Sequence, residues 1–582
     1  MQKLFTIAEK EKEKQFEKFD KKLTTKLGGA ATAKSWSDLL PLMKDLLSFL
    51  KLNFEYDFND INDKLLLGKR LAQCLNPECP SGLHEVTLEV YEIILNNIIS
   101  RYKDKLMDNL YIYSYGLFPF FPNATLQNKK KFLDKIVKGI FTKLNGIELK
   151  LCLPGLLSSL IPGMDDNNEE TTKNIYSSFN ELAKKDTRSF FGIYWMLLLR
   201  CKHLRNSGIK YLLENCMKYD DIKVLSSSEQ SDIIENQFPN INTTVVNALC
   251  EIVKEPEVPL IRNGMDFIIT RLPLSKDNTI LNKEAKIILL NSALYLFVKN
   301  EASAIRRLKI WILGLENADD DVNFESEDMK YRMELVIEAF KIVFKQNQNC
   351  EPDIIKNNIL IFERFLDMEE EIVNQVLSSV AFLVLKSVVD YWGIKLDSSM
   401  QVFEKDPIIL QITKFFNKNE KFMECLWESL ALSVSQVQDI ANIDDILIPL
   451  KFCLLCINFT SYNQRIKFYI PIIINLLNLI KKIPIKREEF KNLKNVIFIS
   501  LAYIKTLQDE IIDDKDPEGC VADELFKKVV DEDYLSTPVQ LLRKSVITDM
   551  INDDENNEEE EIEEKETNET ELIEVNDDEK SV

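Results

Sequence analysis

The chain has 582 residues, 45% of them hydrophobic, only 15 glycines, and a formal net charge of −21. That length exceeds one hydrophobic core and suits several units or one extended solenoid, while scarce glycine disfavours turn-rich β folds and glycine-loop nucleotide sites. Residues 553–582 hold sixteen Asp and Glu against two Lys, net −14, which leaves −7 on the body and argues against a dedicated nucleic-acid binder.

Residues 1–26 read as a charged amphipathic helix with Phe5, Ala8, Phe16, Phe19 and Leu23 on its apolar side, broken by Gly28-Gly29. Trp36–Leu50 follows, with Leu39, Leu40, Met43, Leu46, Leu47 and Leu50 as its face. Residues 69–95, KRLAQCLNPECPSGLHEVTLEVYEIIL, are a helix, a stop, a short turn and a second helix. Pro77 and Pro80 cannot donate to a helix ladder, so the first helix must end near Asn76. Ser81 is a good N-cap, and Leu83, Val86, Val90 and Ile94 then recur on one face. Amphipathic segments continue to about residue 550. Breaks are expected at Pro119–Pro122, Pro154-Gly155, Pro162-Gly163, Pro256–Pro259, Pro407 and Pro484.

No period-two alternation is sustained, so the fold class is all-α. Ile372, Val373, Val376, Leu377, Val380, Leu383, Val384, Val388 and Val389 make one helix apolar nearly all round, which places it between neighbours. Helix pairs with buried inner helices predict a degenerate HEAT/armadillo-like α-solenoid, without a strict sequence period; a globular helical domain is the alternative. The expected organisation is a charged N-terminal helix (1–30), a helical domain (31–315), a further helical-repeat region (316–550) and a disordered acidic tail (551–582). The acidic run 314–328 marks the middle boundary, and a polar stretch, 513–519, precedes the last helices.

Chemistry is sparse. The eleven cysteines are scattered, several in apolar helical runs (Cys152, Cys250, Cys453), and the N-terminus is Lys- and Glu-rich, so reduced, cytosolic thiols are expected. The most apolar stretches, Val376–Leu385 and Ile470–Ile480, fall short of the roughly 20 residues a membrane span needs. No transmembrane helix is expected, and any membrane contact would be peripheral. His84 and His203 are the two histidines. Cys201 and His203 form a Cys-x-His pair with no further ligands at metal spacing, which favours a structural role. Cys453 and Cys456 form a CxxC inside an apolar helix, where packing is favoured over redox chemistry. No phosphate-binding loop or nucleophile elbow is present. We therefore expect no enzyme, cofactor or metal. Lys69, Arg70, Arg306, Arg307 and Lys309 are candidate partner- or lipid-facing residues, each worth about 1 kcal/mol near an anionic surface. The competing reading is a solvated helix face or pairing with a neighbouring helix's acids. The mixed charge of the first helix favours docking over membrane anchoring. The acidic tail could bind a basic partner or carry phosphorylation near Thr567 and Thr570, but solubilising or tethering is its commoner use.

Four blocks carry a resemblance. Lys69 to Pro77, with Pro80, Ser81, Gly82, His84, Leu88, Glu89, Val90 and Tyr91, form the first. In the second, LYIYSYGLFP (110–119), Gly116 would supply a permissive backbone angle while Leu117 and Phe118 anchor the exit. The third is LLSSLIPGMDD (156–166), an apolar helix stopped at Pro162-Gly163. The fourth pairs LIRNGMDFIITRLPL (260–274), with Ile261, Met265, Ile268 and Leu272 on one face, and ASAIRRLKIWILG (302–314), with Ile305, Leu308 and Ile312 beside Trp311. In this order the blocks resemble the N-terminal domain of the Dopey family, large cytoplasmic proteins of Golgi and endosome traffic. The resemblance implies a non-catalytic scaffold, peripheral on Golgi and endosome membranes. Its partners would be a phospholipid flippase and an Arf-exchange-factor-related helical scaffold, in endosome-to-Golgi retrieval and Golgi organisation. Family members are much longer, and residues 315–550 show no match to their C-terminal region, so the chain reads as a fragment or a compact member. The alternative is a soluble helical-repeat scaffold or transport receptor with no membrane role.

Overall fold

The computed structural model describes residues 2–31, 35–101, 106–165, 168–315, 323–345, 352–365, 368, 370–392, 420–435, 443–456, 462–482 and 490–513, and the regular structure among them is helical throughout. The chain divides into two compact units, Met1–Leu335 and Val336–Val582.

In the first unit the helices are α1 (Gln2–Ala31), α2 (Trp36–Leu52), α3 (Lys64–Cys74), α4 (Ser81–Arg101), α5 (Leu106–Leu117) and α6 (Leu126–Lys131, running on as a π-helical Phe132–Lys138). Next come α7 (Gly146–Leu160), α8 (Glu169–Lys185), α9 (Thr187–Arg200), α10 (Arg205–Asn215), α11 (Tyr219–Ile222), α12 (Ser227–Gln237) and α13 (Val246–Lys254). The series ends with α14 (Val258–Arg271), α15 (Lys283–Leu294), α16 (Leu296–Lys299) and α17 (Ala302–Leu313), and α18 (Glu327–Lys345) crosses the division. Most of these helices form two rows. In one, α1, α3, α5, α7, α9, α13 and α15 each pack on the next. In the other, α2 packs on α4, α4 on α6, α6 on α8, α10 on α14 and α14 on α17. Tyr176 and Tyr211, with ring centroids 5.4 Å apart, join α8 to α10 in the same row.

This is the layout of a helical-repeat solenoid. Its period is absent from the text but visible in the bonds between successive repeats. Asn62 to Asp20, Lys131 to Glu89, Ser207 to Asp165 and Trp195 to the Gln237 carbonyl each join residues 42 apart. Arg307 to Asp266 spans 41 residues, and Trp311 to the Leu272 carbonyl spans 39. A spacing near 40 is that of HEAT-type units.

The second unit contains α19 (Pro352–Phe365), α20 (Glu370–Trp392), α21 (Glu420–Ser435), α22 (Asp444–Cys456), α23 (Tyr462–Lys482) and α24 (Phe490–Asp513). Here α20 packs on α21, α21 on α23 and α23 on α24, while α22 packs on α20 and α24. As its sequence predicts, α20 buries Ile372, Val373, Val376, Val380, Val384 and Val389. Trp427, Tyr469 and Tyr503 cluster with centroids 5.0 to 6.1 Å apart. The Tyr503 hydroxyl donates to the Leu450 carbonyl at 2.8 Å.

Several expectations change. Gly28-Gly29 does not break α1, which runs to Ala31; buried Leu23 and Leu27 offset the roughly 1 kcal/mol each glycine costs. Pro154 lies inside α7, where buried Cys152, Leu153, Leu156 and Leu157 hold the helix despite the lost N–H. Reading Pro154-Gly155 as a break also hides a longer apolar element. Gly146–Asp165 is long and apolar enough to cross a membrane by length and composition, although 56% of that window is buried inside the fold. Pro162-Gly163 does end α7, and Pro256–Pro259 separate α13 from α14. Pro407, Pro484 and the acidic tail 551–582 lie outside the described residues.

Candidate partner-facing surface

The 69–95 block folds as a helix, turn and helix, and Asn76 and His84 hold that turn. The first helix, α3, ends at Cys74, and the Asn76 carbonyl accepts from the Cys79 N–H at 2.9 Å. That same carbonyl lies 2.8 Å from His84 Nε2, and the His84 and Phe120 rings meet near-perpendicular with centroids 5.0 Å apart. The histidine therefore ties the turn to α4. Ser81 does not cap α4 as expected. The Pro80 carbonyl takes the first N–H groups, and Ser81 Oγ instead meets Asn128 Nδ2 at 3.0 Å and Thr125 Oγ1 at 3.2 Å. Burial pushes the Cys74 thiol up to about 12, with Cys79 adding to the effect, so it is not a thiolate nucleophile.

Gly116 has a different task from the one its neighbourhood suggests. It sits in α5 without a positive φ. A Cβ there would fall 2.4 Å from both Cα and Cβ of Ala72, so the glycine permits close approach of α3 and α5. Leu117 is buried as expected, and the Phe118 ring sits 5.6 Å from Phe141.

The five basic candidates occupy two helices, with Lys69 and Arg70 on α3 and Arg306, Arg307 and Lys309 on α17. Lys69 and Arg306 are exposed, and Lys309 is half-buried. Arg70 donates to Gln73 Oε1 at 2.7 Å. Arg307 is held across the repeat by Asp266, with its Nε 2.7 Å from Oδ1 and a second nitrogen 3.3 Å from Oδ2. Beside it, Arg262 binds Glu301 at 2.9 Å, and Trp311 Nε1 donates to the Leu272 carbonyl at 2.9 Å. The final family block is thus a joint between α14 and α17.

A denser basic run, Lys129 to Lys138, escaped the sequence reading. The structure turns it into an ionic seam. Lys130 meets Glu170 at 2.8 Å, and Lys131 meets Glu89 at 2.7 Å and Glu85 at 3.0 Å. Lys135 meets Glu92 at 3.2 Å, and Lys129 sits 5.6 Å over the Phe121 ring. The hydrogen bond from Lys131 holds the Glu89 carboxyl below its ordinary range. Asp165, from the third block, likewise fastens α10 through Ser207 and Lys210, both at 2.5 Å.

The described residues include two open depressions. One, about 790 Å³, runs along α8 past Tyr176 and Asn180 to Glu214 of α10. Burial, then Glu214 and Asp165, push the Tyr176 hydroxyl up to about 12. The other, about 420 Å³, lies between α21 and α23. Among the described residues no three His, Cys, Asp or Glu side chains are grouped to hold a metal. Cys201 ends α9 and His203 is exposed on the following turn, while Cys453 is buried in α22.

Residues 13–317 match the family model described as Dopey, N-terminal. Protein pad-1 of Caenorhabditis briggsae is 28% identical over 308 residues, which is 53% of this chain and 12% of that protein. The DOP1 homolog of Drosophila melanogaster is 27% identical over 297 residues, 50% of this chain and 10% of the homolog. DOP1B of Mus musculus is 25% identical over 341 residues, 54% and 14% respectively. The chain thus spans only 10% to 14% of the length of these curated relatives. Among solved structures, Kap121p bound to Nup53p covers 85% of this chain and 55% of its own at 12% identity, with a TM-score of 0.19. The UNC-45 chaperone covers 88% and 74% at 11% identity, also with a TM-score of 0.19. Likeness at that level carries no argument; the architecture rests on the helix rows themselves.

Proposed function

The chain belongs to the Dopey family, and from that premise we propose that it is a non-catalytic scaffold, peripheral on membranes, in Golgi–endosome vesicle traffic. The observation that carries this reading is the family match over residues 13–317, the stretch built as stacked helix rows in the first unit. Stacks of this kind present long continuous surfaces to protein partners. The proposed partners are a phospholipid flippase and an Arf-exchange-factor-related helical scaffold, in endosome-to-Golgi retrieval and Golgi organisation. The reading involves no cofactor, small-molecule substrate or nucleic acid. Of the basic candidates, exposed Lys69 fits contact with a partner or a lipid headgroup better than Arg307, which Asp266 already engages.

The test is crosslinked purification of the tagged chain from its own cells, with organelle fractions run alongside. Recovery of both partner types in a Golgi or endosome fraction is the expected result. A chain that stays in the soluble fraction with neither partner overturns the reading. In that case the alternative takes its place, a soluble helical-repeat scaffold or transport receptor with no membrane role.

A further inference from the structure

The groove between α21 and α23 is apolar where it could have been polar. It is lined by Trp427, Ala431 and Leu432 on one side and Pro471 on the other. Asn475, at its floor, spends its amide on the Ala431 carbonyl at 2.9 Å. The apolar surface continues over the lips. Leu432 is 57% exposed on α21, and Ile470, Ile474 and Leu477 are 41%, 51% and 43% exposed on α23. Their i, i+4, i+7 spacing makes one stripe. Side chains at this spacing beside a groove suit an amphipathic helix laid along it.

The chain's own sequence carries a pattern that would fit. Residues 514–582 lie outside the described residues and continue directly from α24 of the same unit. Within them, Thr537-Pro538-Val539-Gln540 has the sequence pattern of a capping box, with proline where a first helical position would fall. Val539, Leu542, Val546 and Met550 then recur on one helical face. From Val539 to Met550 such a helix would rise about 16 Å, and α21 rises about 12 Å from Trp427 to Ser435, so the anchors would span the groove and overrun it by less than one turn. The connecting residues 514–536 reach on the order of 75 Å when extended, more than twice the length of α23, so tethering does not limit docking. Charge agrees as well. Arg543 and Lys544 follow Leu542, and Glu428 stands on the rim. We propose that residues 538–551 of this chain dock as an amphipathic helix in the α21–α23 groove and occlude it. An outside helix would then have to displace this segment to bind there.

The test places the photo-crosslinker benzoylphenylalanine at position 432 of the full chain, where the exposed side chain tolerates it. After irradiation the adducts are mapped by peptide mass spectrometry. The expected adducts fall within 538–551 of the same molecule, with a yield independent of protein concentration. The yield falls at least tenfold in a chain that also carries Leu542→Asp and Val546→Asp, which alter no packed residue of the described structure. Adducts between two molecules that grow with concentration would make a second copy the occupant and overturn the proposal. Absence of any adduct within 538–551 overturns it equally.

Discussion

Gly116→Ala adds one methyl group and tests whether α3 and α5 are as close as their geometry requires. The new carbon would fall 2.4 Å from the Ala72 backbone Cα, which cannot rotate away. Carbon atoms settle at about 3.5–4.0 Å, so the helices must part by more than about 1 Å. Overpacking of this kind costs about 1–3 kcal/mol, and a backbone clash belongs at the upper end. Against this, alanine is about 1 kcal/mol better than glycine inside a helix. The net loss is about 1–2 kcal/mol, or roughly 5- to 30-fold faster amide exchange through local opening. Gly82→Ala is the control, because its added carbon meets nothing within 4 Å. There the change should be neutral or stabilise by up to about 1 kcal/mol. Hydrogen-exchange mass spectrometry of peptides from α3 and α5 reads both. If Gly116→Ala protects these helices as well as the parent does, close approach is not what the glycine provides.

Other expectations follow from the joints between repeats. Trp311→Phe strands the buried Leu272 carbonyl and should cost about 1–3 kcal/mol, seen as faster exchange in α14 and α17 but not in α3. A double-mutant cycle on Arg307→Ala and Asp266→Ala should give a coupling of only about 0.2–1 kcal/mol that shrinks with salt, because both groups are partly solvated. Glu89 is depressed below its ordinary 4.5, so its ion pair with Lys131 contributes fully above that pH and is lost as pH falls through the lower folded value. The melting difference between the parent and Lys131→Met should therefore hold at neutral pH and fade below about 4.5. A difference that instead grew on acidification would contradict that sign. Burial pushes the thiols of Cys74, Cys152 and Cys216 up to about 12, leaving about one thiolate in ten thousand at pH 8. Iodoacetamide should label half-exposed Cys201 in the native chain well before these three, as read by peptide mass spectrometry.

What the sequence made legible was local. The face Ile261, Met265, Ile268 and Leu272 is buried as its spacing predicts, because helical periodicity and the core impose the same constraint. Pro162-Gly163 and Pro256–Pro259 end or begin helices, because there the missing N–H groups fall at termini. Pro154 misled because packing around α7 outweighs one absent bond. What the sequence hid depends on the next repeat. Whether Gly116 serves an angle or an approach is decided by Ala72, on another helix. That Arg307 is held across the repeat is decided by Asp266, also on another helix. The lysines of 129–138 resemble a headgroup site, yet Glu85, Glu89, Glu92 and Glu170 receive them. Within the Dopey blocks, Gly116, Asp165 and Arg307 each meet a residue of another helix.

The recurring tie of about 40 residues also sets how the first unit responds to force. Each repeat is fastened mainly to its neighbours, so tension at the two ends loads the joints in series rather than one core at once. The weakest joint gives way first, while the helices on either side keep their own partners. Extension should proceed as a staircase, each step releasing about 40 residues and on the order of 140 Å of chain. A helical stack built this way can lose one segment to strain while the rest stays folded.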